Sequence, residues 1–344
     1  MSRRLALDRT LRIAACLGAI LAAGCGGGGG GGEVAPPELL QITTQNQVAV
    51  ARATAAMFAS LGGVSDLPIA SPTAAARATA TIGYTRHALG TVLQTTRAAS
   101  GAPGPLAITS MTEPCDFGGS VTVSVDDRDS NGQQLSAGDV LTMAFNQCRV
   151  TDSSTASGSL GIAISSISAT QLAGLFTFNQ LTAIDDGYMS IVNGQMNGLY
   201  SEGTDPSGTR LVRTEMTVTG SELRVAGSTP GYSDTFTHYP GFRAVWKDFV
   251  PLAPAAAYST SEMNGQVHVA SLAGRIVMTT DASAPMHDWW DQPYPDSGKV
   301  TVDGYRSHLR MTVMNTVTVR LELDANDDGT FESTQNIPWT QLLP

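Results

Sequence analysis

The densest chemistry in this 344-residue chain is a run of oxygen-bearing side chains near its C-terminus. Asp324, Asn326, Asp328, Thr330 and Glu332 are spaced around Gly329. Calcium takes about six to eight hard oxygen ligands, and a glycine at the sixth place allows the sharp turn that wraps them round one ion. In that arrangement Asp324, Asn326 and Asp328 would ligate by side chain and Thr330 by its carbonyl. Glu332 would ligate directly or through water. A second stretch repeats the spacing: Asp127, Asp129 and Asn131 precede Gly132, and Asp139 follows one place beyond the twelfth position. An ion in either loop would be structural calcium fixing a hairpin. Asp, Asn and Gly also build ordinary turns with no ion, so that alternative stays open. A third cluster is His287-Asp288-Trp289-Trp290-Asp291, bracketed by Pro285, Pro293 and Pro295. Trp289 and Trp290 could stack on a sugar ring while Asp288 and Asp291 accept hydroxyl hydrogen bonds. The plainer alternative packs one indole beneath the loop and the other over a sheet edge.

Other catalytic patterns are missing. There is no GxSxG elbow, no HExxH and no phosphate-cradling GxxxxGK[ST]. The five histidines are scattered without a zinc-ligand spacing. The expected catalytic set is therefore empty. Net charge is −10, with 20 basic against 30 acidic residues and no basic run, which repels phosphate backbones and argues against nucleic-acid binding.

Something must hold these groups in place. From about residue 119 the hydropathy has period two, and residues 111–344 are expected to form one antiparallel β domain. Val121, Val123 and Val125 alternate with Ser and Thr, and Val317, Val319, Leu321 and Leu323 alternate with polar residues. Alternation of this kind describes strands with one buried and one wet face. The fold class expected is mainly β: an antiparallel meander of a dozen or more strands, as a sandwich or a strongly curved sheet. Asn193-Gly194, Asn264-Gly265 and Asp303-Gly304 read as hairpin turns. A short helical segment, residues 39–110, precedes the sheet. One helix runs from Thr43 or Thr44 to Gly62-Gly63, with Val48, Ala51, Ala55 and Phe58 at helical spacing. A second starts near Ser71-Pro72 and ends by Gly101. The helices are expected to cover one side or end of the sheet.

The N-terminus reads as an address. Arg3, Arg4, Arg9 and Arg12 precede the apolar run Ile13–Ala23, which is short for a spanning helix. Residues 1–24 thus read as a signal peptide. Leu21-Ala22-Ala23-Gly24-Cys25 resembles the lipobox of bacterial lipoproteins, in which the cysteine is acylated and becomes the first residue. Several acyl chains suffice to hold a folded domain on a bilayer. Residues 25–38 then form a lipidated Cys25 and a Gly-rich tether, Gly26–Gly32. Gly26 after the cysteine implies, by the sorting rule of such proteins, an exported, lipid-anchored protein at the outer membrane, facing periplasm or cell surface. Cys16 falls in the leader and Cys25 is the lipid site. Cys115 and Cys148 remain, and in an oxidising compartment they are expected to form one disulfide.

The acidic loops also resemble the DxNxDG calcium loops found between strands in exported proteins; Gln335 replaces the bidentate Glu of an EF-hand. Cys25 with its Gly run, the two loops, Gly298–Val302 and the tail Val317–Leu343 together resemble a group of uncharacterised proteobacterial outer-membrane lipoproteins with Gly-rich tethers. The resemblance covers about a third of the chain and implies a surface or periplasmic lipoprotein without naming an activity. The function expected is a non-catalytic binding or scaffolding role in the cell envelope, with an envelope protein or glycan as partner. A glycan-binding module or carbohydrate-active enzyme at residues 287–291, and a lipid carrier within a curved sheet, are the alternatives.

Overall fold

The computed structural model describes residues 38–62, 110–129, 135–149, 154–185, 188–219, 223–229, 232–251 and 256–343. The expected leader, Cys25, the Gly tract, the second expected helix and Asn131 lie outside the described residues.

The first helix, α1 (Gln47–Gly62), precedes all the strands. Then come β1 (Ser110–Pro114), β2 (Ser120–Asp126), β3 (Val140–Cys148), β4 (Ser154–Ile167), β5 (Gln171–Asp185) and β6 (Tyr188–Thr204). The middle of the chain forms β7 (Arg210–Val218), β8 (Leu223–Thr229), β9 (Tyr232–His238), β10 (Arg243–Val250) and β11 (Tyr258–Val269). It ends with β12 (Gly274–Thr280), β13 (Met286–Trp289), β14 (Gly298–Gly304), β15 (Ser307–Val313), β16 (Thr318–Asp324), β17 (Ser333–Pro338) and a single turn of helix, α2 (Trp339–Leu342). The seventeen strands among the described residues belong to one sheet with antiparallel neighbours, so the meander is realised as a single sheet.

Two of the expected hairpin turns are not turns. Asn193-Gly194 lies inside β6 and Asn264-Gly265 inside β11. Each marks a change of partner. Residues 189–193 of β6 pair with β8, and residues 196–204 pair with β7 along the same edge. Likewise residues 258–264 of β11 pair with β10, and residues 267–269 with β9. The strand must kink to serve two neighbours, and glycine at positive φ provides the kink: Gly194 has φ 128° and Gly265 has φ 131°. At Gly265 a Cβ would stand 2.6 Å from the Phe242 Cα, so no larger residue fits there. Asp303-Gly304 does end β14 at the tight connection to β15.

Helix α1 is inside the structure, where the sequence suggested a cover for one side or end. Val50, Ala51, Ala53, Met57 and Leu61 are buried, as are the polar Thr54 and Ser60. A helix buried round most of its circumference is a core element. It packs on β8, β11, β15 and β16, strands well separated in the sheet, so the sheet curls round it. Thr54 returns its hydroxyl proton to the Val50 carbonyl at 2.9 Å, which makes its burial tolerable. Arg52, on the more open stripe, donates twice to the Gln341 carbonyl and ties α1 to α2. At the helix C-terminus a narrow apolar cleft is lined by Leu61, Met196, Val218, Leu223, Phe242 and Trp246. Beside it, the His238 ring lies tilted against Phe242, with centroids 4.3 Å apart. It is fully buried, and neither ring nitrogen has a hydrogen-bond partner among the described residues.

Cys115 and Cys148 are joined as a disulfide with Cα atoms 5.4 Å apart, which ties the β1–β2 turn to the end of β3. The registers also divide the turns between two ends of the sheet. One end holds the disulfide and the β1–β2, β5–β6, β8–β9, β11–β12, β14–β15 and β16–β17 connections. The opposite end holds the β2–β3, β4–β5, β6–β7, β10–β11 and β15–β16 connections.

Candidate functional site

The chemistry at the opposite end is built by register. Phe249 pairs with Tyr258 and Tyr258 with Trp289, while Thr260 pairs with His287. Successive strand residues face opposite sides, so Phe249, Tyr258, His287 and Trp289 gather on the outer face. Phe249 and Tyr258 stack at 4.5 Å, and Tyr258 and His287 at 4.7 Å. Trp289 stands edge-on to both Tyr258 and His287, at 5.4 and 5.1 Å. Offset and T-shaped pairs of this kind each add about 0.5–1.5 kcal/mol beyond area burial.

Asp296 fixes the strip. Its Oδ1 lies 2.7 Å from His287 Nδ1, and its Oδ2 accepts the Trp289 indole N–H at 2.8 Å. Burial pushes this carboxyl up, but the His287 and Trp289 hydrogen bonds outweigh it and hold Asp296 below the usual range. The strip thus consists of half-buried rings with their rotamers locked, next to a carboxylate.

The inner face of the same strands carries a polar chain. Asp248 pairs with Ser259 and Ser259 with Asp288. The Trp290 indole donates to Ser259 Oγ at 2.9 Å, and the Ser259 hydroxyl donates to Asp248 Oδ1 at 2.8 Å. Asp288 is half-buried as a residue but crowded around its carboxyl group. Burial, and then the charge of Asp296, push it up to about 7, and no hydrogen-bond donor among the described residues offsets them. It is a carboxylic acid poised to change charge near neutral pH.

Of the residues singled out in the sequence, Trp289 and Trp290 are therefore not side by side. Trp289 belongs to the outer strip and Trp290 to the inner chain, and Asp291 is exposed in the turn that follows. Phe249, Tyr258, Asp248, Ser259 and Asp296 escaped sequence reasoning. Their grouping depends on pairing between β10, β11 and β13, and the only local hint was an aromatic residue on each side of the β10–β11 connection.

Both acidic loops converge. One oxygen from each of Asp324, Asp328 and Glu332 lies within 4.8 Å of the others, and the same holds for Asp127, Asp129 and Asp139. Asp324 is buried at the end of β16, where its oxygens accept backbone N–H groups from Asp327 at 2.7 Å and Gly329 at 2.8 Å. Burial raises its pKa, but these and the weaker Asn326 and Asp328 contacts outweigh it, and the net direction is down. Glu332 Oε2 accepts the Ala325 N–H at 2.7 Å, and Thr330 donates its backbone N–H to Asp328. In the other loop Asp139 is buried and accepts the Arg128 and Ser136 N–H groups. His308 bridges Asp303 and Asp327, at 2.5 and 2.7 Å. Comparison with protein-family models, with curated proteins and with solved structures finds no match to this chain.

Proposed function

We propose that this chain is an exported lipoprotein, acylated at Cys25 and held at the outer membrane. In this reading its β body is a non-catalytic binding module for an envelope partner, of the kind its Gly-rich tether and lipobox-like sequence suggest. One observation carries the reading: the chain enters the fold at one end of the sheet, and the aromatic strip lies at the other. Leu40 donates to the Arg275 carbonyl at the start of β12, and Tyr305 donates to the Leu40 carbonyl. The twelve-residue β11 runs from the strip at Tyr258 to the β11–β12 turn, about 40 Å at the usual rise. An anchor at one end and a rigid contact surface at the other is the layout of a module that reaches away from a bilayer.

The ligand class that best fits the strip is a carbohydrate. Sugar rings present C–H faces to aromatic planes and hydroxyls to carboxylates, and Tyr258, Trp289 and Asp296 offer both groups on one face. Calcium in the loops at Asp324–Glu332 and Asp127–Asp139 would be structural in this reading.

The test is an in-cell crosslinking pulldown with three chains: native, Cys25→Ser, and Tyr258→Ala with Trp289→Ala. Recovery of an envelope protein or glycan by the native chain, its loss from the strip variant and its mislocalised absence with Cys25→Ser are expected. A strip variant that captures the same partner as the native chain would overturn the assignment of the surface.

A further inference from the structure

Where the chain enters the fold also orients it. Residues 38–42 run parallel to β12, through the bridge of Leu39 with Arg275. They lie against Gly274 and Gly304, where a Cβ would stand 2.8 Å from Leu40 Cβ and 2.2 Å from the Leu40 carbonyl oxygen. Ile42 donates to Ser307 Oγ at 2.8 Å. The described chain therefore begins, at Glu38, at the end of the sheet that carries the β11–β12 and β14–β15 turns. Twelve residues, Gly26 to Pro37, separate that point from Cys25. A chain of that length spans at most about 40 Å. A bilayer holding Cys25 is thus within about 40 Å of this end.

The same end collects apolar side chains that the fold leaves exposed. Of the eight large hydrophobics exposed among the described residues, five are here. Phe117 lies in the β1–β2 turn, Ile184 and Met189 face each other across the β5–β6 hairpin, Tyr305 is in the β14–β15 turn, and Phe331 is in the loop before β17. Phe117 and Tyr305 are each 53% exposed. Met314 and Val317 lie at the opposite end, and Met111 is within β1. The Arg306 guanidinium lies 5.5 Å from the Tyr305 ring, and that of Arg310 lies 4.3 Å from the Phe331 ring. An aromatic ring beside a guanidinium suits the boundary between headgroups and acyl chains, where one end is apolar and the other wet.

We propose that this rim docks on the bilayer that holds Cys25, with Phe117, Tyr305 and Phe331 as the contact tips and Ile184 and Met189 between them. The proposal deepens the lipoprotein reading and rests on it for the anchor. Acidic Asp303, Asp327 and Asp328 share the rim, so the surface it fits is zwitterionic rather than strongly anionic.

The experiment is amide hydrogen exchange of the purified full-length product, in detergent and in phosphatidylcholine vesicles, with its intact mass reporting acylation. Vesicles should slow exchange at residues 116–119, 304–307 and 325–331 and leave 205–209 and 314–317 unchanged. With Phe117→Ser and Tyr305→Ser together, both at exposed turn positions, that protection should fall about tenfold, because two apolar tips no longer leave water. Equal exchange in vesicles and detergent at the rim, or protection confined to the opposite end, would overturn the docking. A product without acyl chains would remove the anchor instead. Vesicles added to that product still decide the rim by the same amides: protection supports it and its absence refutes it.

Discussion

Asp288→Asn tests the electrostatics of the far end most directly. The native carboxyl is pushed up to about 7 by burial and by Asp296, whereas an unfolded Asp titrates near ~3.9. Between about pH 4 and pH 7 the folded state therefore binds a proton that the unfolded state has released, and stability falls as pH rises through this window. A fully enclosed group would contribute about 4 kcal/mol over that range. Asp288 keeps part of its surface in water, and allowing for screening reduces this to about 2 kcal/mol. Asn has nearly the same shape and no charge. The two proteins should match at about pH 4, and the variant should be about 2 kcal/mol more stable near pH 8. Urea denaturation at a series of pH values measures both. A stability difference that is the same at every pH would refute the crowded-carboxyl argument.

Four further outcomes are expected. His238 is held down to about 3 by burial, so stability present above its unfolded pKa of about 6.5 is lost as pH falls. His238→Phe should flatten that acid limb and add about 1–3 kcal/mol at neutral pH by removing unpartnered nitrogens, both read by denaturation. Replacing Cys115 and Cys148 by Ser opens a loop of 33 residues and should cost about 4 kcal/mol in the chain-entropy account, measured in the same way. After chelation, millimolar calcium should raise the thermal midpoint, and Asp324→Ala should abolish the rise; no shift and no calorimetric heat would remove calcium from the account. Gly304→Ala forces a Cβ against the Leu40 carbonyl and should cost about 1–3 kcal/mol, with faster proteolysis near residue 40.

The sheet was legible because alternation is a local property that survives any tertiary arrangement. Val121–Val125 and Val317–Leu323 declare their inner faces without reference to a partner. The acidic loops were legible as loops for the same reason, since all their groups lie within a few residues. Other features depend on partners distant in the chain. Asn193-Gly194 and Asn264-Gly265 have the residues of a hairpin turn, yet each serves as a kink where one strand changes neighbours. Nothing local separates the two uses. Helix α1 is rich in Ala, which gives little contrast between faces, so its burial on most sides left no clear stripe to read. The split of Trp289 from Trp290 follows from strand parity once β13 is known to pair with β11, but a four-residue strand between prolines does not announce itself.

The position of α1 sets a condition on how the molecule can be made. Ile42 is held by Ser307, and Arg52 by Gln341, so residues near the start of the fold are fixed by residues near its end. Contacts this distant in sequence make folding slow, because the long intervening chain must be ordered before they form. Helix α1 cannot be enclosed until β15, β16 and α2 have been synthesised. Until then its Ala, Met and Leu surface and the inner edges of the early strands stay open to other chains. In a polypeptide built this way the core closes last, because the residues that seal it are among the last to be made.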